Sequence, residues 1–252
     1  MTHAGPYGAA LDALARSGPF FTVEVHDPSG PPDAPWRPLS GLVDEAGVLS
    51  ARVGEVQAHL ARAAPATAAG AAGGAVERRV AASVAHLGLV ARVLSPFFAL
   101  TALHGAPTVP ALGDLRWCPR PGGAFPLSLP RTALVPSGLA PEACAGLVLG
   151  GLVAPLGAAV SRLSVSPRTL AGNAASAVNG ARAALTAAVP GDAERIARTA
   201  AAFLAHESLR GAHEGGADGR AFRRRSCCLI YRAAPGPART AAVCGDCVLA
   251  RG

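Results

Sequence analysis

The sequence predicts an α+β fold that is mainly helical: a helix-rich body, a few short antiparallel strands, and a C-terminal hairpin that carries cysteines. Three observations predict it. Half of the 252 residues are apolar but only 4% are aromatic, so the apolar mass is Ala, Val and Leu, and Ala and Leu lose little entropy in a helix. Apolar residues recur at three- and four-residue steps in several long stretches. Between His104 and Leu139 the texture changes to short apolar triplets broken by Gly and Pro, which suits short strands and tight turns.

Taken in order, Tyr7 to Arg16 reads as a short helix. Phe20, Phe21, Val23 and Val25 alternate weakly and suggest a strand. Asp27 to Pro38 is rich in Pro and Gly and reads as a loop. Helical spacing resumes over Glu55 to Ala63. Ala64 to Ala75, almost wholly Ala, Gly, Pro and Thr, reads as a linker. A stronger helix begins near Val76, with Val80, Val84, Leu87, Ala91 and Leu94 on one face. Pro96 is expected to kink or end it, and Phe97 to Leu103 to resume it. Leu115–Trp117, Ala124–Leu129 and Ala133–Val135 are candidate strands, with a turn at Gly122–Gly123. Helices return at Pro141, at Pro167 to Ala188, and at Gly191–Asp192, where Asp192 is a candidate N-cap. Gly211 to Gly219 reads as a glycine-rich hinge. These features divide the chain into a helix-rich body, residues 1–220, and a C-terminal segment, residues 221–252.

Charge and hydropathy narrow the function classes. The net charge is +7, and every basic residue is Arg. GC-rich coding accounts for that usage. The charge permits attraction to acidic partners, but the chain lacks the interleaving of Arg with aromatics that single-strand binding needs, so no nucleic acid is expected. No secretory signal is visible at the N-terminus. The longest uncharged stretch, Ala143 to Val160, is long enough to span a membrane. Gly146, Gly150, Gly151, Pro155 and Gly157 interrupt it, so a kinked core segment is expected, with no transmembrane span and a cytoplasmic location. Peripheral association with a membrane stays open.

The tail carries the chemistry. Cys227 and Cys228 are adjacent, and Cys244 and Cys247 are separated by Gly245 and Asp246. In a cytoplasmic protein such a cluster argues for metal rather than disulfides. Leu229–Tyr231 and Thr240–Val243 have strand character around the Pro235–Pro237 turn, and a hairpin would bring the two pairs together. Thiolates suit iron–sulfur clusters, zinc and Cu(I). Adjacent cysteines point to opposite faces of a strand and diverge by about a quarter turn on a helix. They share one centre only where the backbone is irregular. A two-iron cluster tolerates diverging thiolates better than a single ion does, which favours iron–sulfur. Structural zinc and a dithiol redox switch remain the alternatives. Cys118 and Cys144 are isolated and read as small apolar residues. The histidines, including His86, His206 and His213, show no metal-pair spacing and read as structural or exposed.

Arg224-Arg225-Ser226-Cys227-Cys228-Leu229-Ile230-Tyr231-Arg232, followed by Cys244-Gly245-Asp246-Cys247-Val248-Leu249, resembles the C-terminal signature of the FhuF-like ferric-siderophore reductases. Upstream, Arg79 to Pro96 is similar to that family's Ala- and Leu-rich helix, and Leu170 to Ser176 to its Gly-Asn-x-Ala-Ser segment. The resemblance implies one 2Fe–2S cluster on Cys227, Cys228, Cys244 and Cys247, and one-electron reduction of Fe(III) in an imported siderophore, often a hydroxamate. The Arg-rich flank would attract an acidic electron donor, ferredoxin-like or flavin-dependent, and no catalytic residue beyond the cluster is expected. Arg224, Arg225 and Arg232 are candidates for tuning the cluster or docking a partner, because nearby cations favour its more negative reduced state. The body would supply a docking face for the chelate, with Arg92 and Asn173 lining or bracing it. The spacer from Leu229 to Val243 is longer than is usual in the family. A zinc-stabilised binding module, and a 2Fe–2S carrier or sensor without siderophore activity, are the competing functions.

Overall fold

A computed structural model describes residues 8–45, 47–63, 76–121, 124–215, 221–234 and 243–249. The Ala64–Ala75 linker, the Gly122–Gly123 turn, the Pro235–Pro237 turn and most of the second tail strand lie outside these residues.

In chain order the elements are α1 (Gly8–Arg16), β1 (Glu24–His26), β2 (Arg37–Pro38), α2 (Gly41–Asp44), α3 (Val48–Ala63) and α4 (Arg78–His104). There follow β3 (Arg116–Trp117), β4 (Leu127–Pro130), α5 (Pro141–Leu147), a π-helical turn (Val148–Val153), α6 (Ala154–Ser161), α7 (Pro167–Ala188), α8 (Ala193–Leu204), β5 (His213–Glu214) and β6 (Arg223–Arg224). The fold is thus α+β and mainly helical.

The centre of the body is α4 packed on α7, with α3 and α8 alongside. Helix α4 runs through Pro96 without a break. A proline inside a helix costs about 3 kcal/mol, but every residue from Arg92 to Ala102 is buried, and packing of that extent outweighs the lost bond. Phe97, Phe98, Leu94 and Val93 join Phe203 of α8 and Val178 of α7 in the core. Helix α7 starts where expected. Pro167 occupies its first turn, and the Ser166 side chain accepts from the Thr169 N–H at 3.2 Å. The other expected cap differs: Asp192 makes no capping bond, and its carboxylate pairs with Arg195 at 3.0 Å instead.

The small sheet has the order β1-β4-β3-β2. Pairs β2–β3 and β3–β4 are antiparallel, as expected, but β1 and β4 are parallel, Glu24 opposite Ser128. A parallel pair needs a long crossover, and α2, α3 and α4 lie between these strands in sequence. The third expected strand, Ala133–Val135, is instead a 3-10 turn over Arg131–Leu134. Pro130 lacks the N–H that would continue the ladder.

Two helical stretches, Arg78–His104 and Pro141–Ser161, are long and apolar enough to cross a membrane by length and composition. Of their most apolar windows, 78% and 50% respectively are buried inside the molecule. The second bears the expected irregularity. Pro155 cannot donate, and just before it the Ala154 N–H bonds the Leu149 carbonyl five residues back, the π pattern.

Candidate cluster site

The tail leaves the body through β5 and β6, which pair His213 with Arg224. Gly215 turns out of β5 with φ of +104°, and a Cβ there would lie 2.5 Å from the Ala221 carbonyl, so only glycine fits. Of the expected hinge, Gly211 to Gly215 lie among the described residues, and His213 and Glu214 there form a strand. His213 stacks on Phe222 at 5.3 Å, and His206 bonds Ser208, so both are structural.

The segment then lies across α4 and α7. Ser226 Oγ donates to the Arg168 carbonyl at 2.8 Å, and Arg224 Nη2 to the Thr169 carbonyl at 3.2 Å. Ser83 Oγ of α4 donates to the Cys228 carbonyl at 2.8 Å. Asn173 Nδ2 of α7 donates to the Ser83 carbonyl at 3.0 Å. Asn179 Nδ2 holds the Asp246 carboxylate at 3.0 Å, and the Arg224 N–H holds the Asp246 carbonyl at 3.1 Å. That last pair of bonds brings Cys244 and Cys247 to the adjacent cysteines. Gly172 makes the approach possible. A Cβ on it would lie 2.9 Å from Arg224 Nη2 and closer still to Ser226 Oγ.

The backbone at the adjacent pair is irregular. Leu229 takes φ of +71°, and Ile230–Ala233 coils into a 3-10 turn rather than the expected strand. A strand would have set the two thiols on opposite faces. The left-handed Leu229 turns the chain just after them instead, and its N–H points back to Cys227 Sγ at 3.2 Å. The Leu249 N–H does the same to Cys247 Sγ at 3.3 Å. Cys228 and Cys247 are buried, whereas Cys227 and Cys244 are half-buried.

The electrostatics favour the thiolate at one of the four, Cys228. The Cys228 thiol is pulled down to about 6, first by a hydrogen bond from Cys244, and further by the Ile230 N–H and the charge of Arg224, against desolvation. Cys244, as donor, is pushed up by that bond and by burial. Burial raises Cys227. The three candidate arginines of the tail behave differently. Arg224 is fully buried, and its Nε and Nη1 have no hydrogen-bond partner among the described residues. Arg225 is exposed and faces Glu214 at 3.9 Å. Arg232 is paired with Glu77 at 2.6 Å, clamping the 3-10 turn to the start of α4.

The Arg224 charge acts on Cys227, Cys228 and Cys244. Two of its guanidinium nitrogens are unspent, and it has no ion-pair partner among the described residues; an anionic iron–sulfur cluster held by thiolates would be its counter-anion. The donor set therefore fits a 2Fe–2S group. Among the described residues no three Cys, His, Asp or Glu side chains gather closely enough for a single ion; a cluster of two irons spans more space.

A cavity of about 350 Å³ opens beside Cys244. Its walls are Phe20 and Phe21 of the loop before β1, Ala91 of α4, Ser176 and Gly180 of α7, and Arg224. Arg92 and Asn173 do not line it. Arg92 bonds the carbonyls of Phe20, Thr22 and Phe125 at 2.9, 2.5 and 2.7 Å, so it braces the wall. Asn173 is fully buried and braces the tail through Ser83. Cys118 and Cys144 are buried away from the tail, Cys144 against Thr101 at 3.3 Å. Sequence reading missed Ser83, Gly172 and Asn179. Gly172 left a signal, as a glycine inside a strongly periodic helix and within the Leu170–Ser176 stretch that carries part of the family resemblance, and Ser83 lies in its Arg79–Pro96 stretch.

Residues 224–249 match the family model of the FhuF 2Fe-2S C-terminal domain. No curated protein matches the chain. The match falls on the segment that carries all four clustered cysteines and Arg224. Residues 224–249 are thus an FhuF-type 2Fe–2S domain, and the chain's cofactor is a 2Fe–2S cluster.

Proposed function

We propose that the chain is a cytoplasmic ferric-siderophore reductase, and that Cys227, Cys228, Cys244 and Cys247 hold its cluster. The observation that carries the reading is the juxtaposition of an FhuF-type cysteine set with a cavity that reaches Cys244. A bound 2Fe–2S cluster supplies electrons one at a time. The protein's own residues do the rest. Cys228 and Cys247, both buried, anchor the inner side and keep water from it. Cys227 and Cys244 leave the outer side within reach of a chelate. Arg224 supplies fixed positive charge, which favours the reduced state. The small side chains of α7 leave room for a ligand shell, and the Ser176 hydroxyl, which has no partner among the described residues, offers it a hydrogen bond. Fe(III) bound as substrate in hard oxygen ligands is held far more tightly than Fe(II), so one electron releases it. A ferredoxin-like or flavin-dependent protein would re-reduce the domain, drawn to the basic tail.

Stopped-flow mixing of anaerobically reduced protein with a ferric hydroxamate tests this. The oxidised visible spectrum should return at a rate that rises with chelate concentration. A reduced spectrum that persists would leave an electron carrier or sensor.

A further inference from the structure

A second cavity, of about 290 Å³, lies between the π-helical turn, α6 and α7. No cysteine and no Asp, Glu or Arg lines it. Its walls are mainly apolar, with Leu149, Val153 and Leu170 among them. Of its polar side chains, Ser161 is spent on the Ala158 carbonyl at 2.7 Å and Ser208 on His206 at 2.9 Å. The third is His86, which is 1% exposed and whose Nε2 has no partner among the described residues.

The tautomer of His86 follows from its neighbours. Asn173 Nδ2 is committed as a donor by the Ser83 carbonyl, and it also faces His86 Nδ1 at 3.3 Å. Nδ1 therefore accepts, and the ring proton sits on Nε2. Burial and then the charge of Arg224 hold the imidazole pKa down to about 4, so it is neutral near pH 7. An N–H buried without an acceptor costs about 1–3 kcal/mol.

Gly157 is an independent sign. It lies in the interior of α6, where glycine is about 1 kcal/mol worse than alanine. A Cβ there would meet His86 Nε2 at 3.6 Å, an ordinary contact, so sterics do not forbid alanine. What alanine would do is cover the Nε2–H. The π-helical turn beside it is the kind of irregularity often found at functional sites.

We propose that this cavity binds a neutral, mainly apolar small molecule through a carbonyl-type acceptor, with His86 Nε2–H as its donor. Apolar walls disfavour a charged ligand, and the volume suits a compact one. The site stands independently of the chelate cavity beside Cys244.

Calorimetric titration of the cluster-loaded full chain at pH 7 with acetophenone and with ethylbenzene tests it, the two probes differing by the carbonyl. Acetophenone should bind at least tenfold more tightly. Gly157→Ala should weaken acetophenone at least tenfold without lowering the melting temperature. Ala158→Leu, at the exposed mouth, should block both probes and serves as the second variant if Gly157→Ala misfolds. Equal affinity for the two probes, no binding of either, which leaves a cavity holding water only, or undiminished acetophenone binding in both variants would overturn the site.

Discussion

Arg224 carries its charge to a place with no exposed surface and leaves two guanidinium nitrogens without a partner among the described residues. Burying a cation is expensive unless it finds an anion. Replacing it with methionine should lower the midpoint potential of the cluster by roughly 60 mV or more, a tenfold shift in a one-electron equilibrium. Arg225→Met, at an exposed residue facing Glu214, should shift it far less. Redox titration followed by electron paramagnetic resonance reads both, and equal shifts would remove Arg224 from its role. The cysteines make the companion prediction. Cys228→Ser should lose or destabilise the cluster, measured as iron and acid-labile sulfide per chain. Cys118→Ser, buried outside the tail, should keep the full complement. Normal cluster content in Cys228→Ser would refute the ligand set.

At the scale of elements, helices α4, α7 and α8 were legible because their periodicity is strong, and at α7 Ser166 and Pro167 also mark the start. The tail's strand character was not a reliable sign. Leu229 to Tyr231 are β-prone residues, yet Leu229 takes a left-handed conformation and a 3-10 turn follows, which no propensity foretells. The parallel pairing of β1 with β4 was equally hidden, since it joins residues about a hundred positions apart. The contact between elements that matters most is the tail on α7, and it turns on Gly172. Gly172→Ala should push the segment off the helix through Ser226 and Arg224, at a cost of about 1–3 kcal/mol, the usual range for overpacking. Cluster retention during dialysis should fall, and adding Ser226→Gly should recover part of it, because that removes the nearest clashing atom. An unaffected single variant would show that the tail does not rest on α7.

For the whole molecule, His86 links stability to acidity. Its pKa in the folded protein is held at about 4, below the 6.5 of the unfolded chain. Above pH 6.5 both states are neutral at this site, and the fold keeps its full stability. Between 6.5 and 4 the unfolded state takes up a proton that the folded state refuses, so stability falls as pH drops through that window, by roughly 3 kcal/mol. Urea melts across the window should show the fall, and His86→Gln should flatten it. The four cysteines and the helical body were readable from sequence because thiol spacing and helical periods are local. The cavity beside Cys244 was not, because it is assembled from three distant stretches: the loop before β1, the α4–α7 pair, and the tail. On the proposed function that cavity would join the cofactor to the substrate, and a single-turnover iron count tests the joining most directly. Protein reduced by one electron is mixed without oxygen with a ferric hydroxamate and a colour reagent specific for Fe(II). A reductase yields one Fe(II) for each cluster oxidised; oxidation of the cluster without Fe(II), or no oxidation at all, contradicts it.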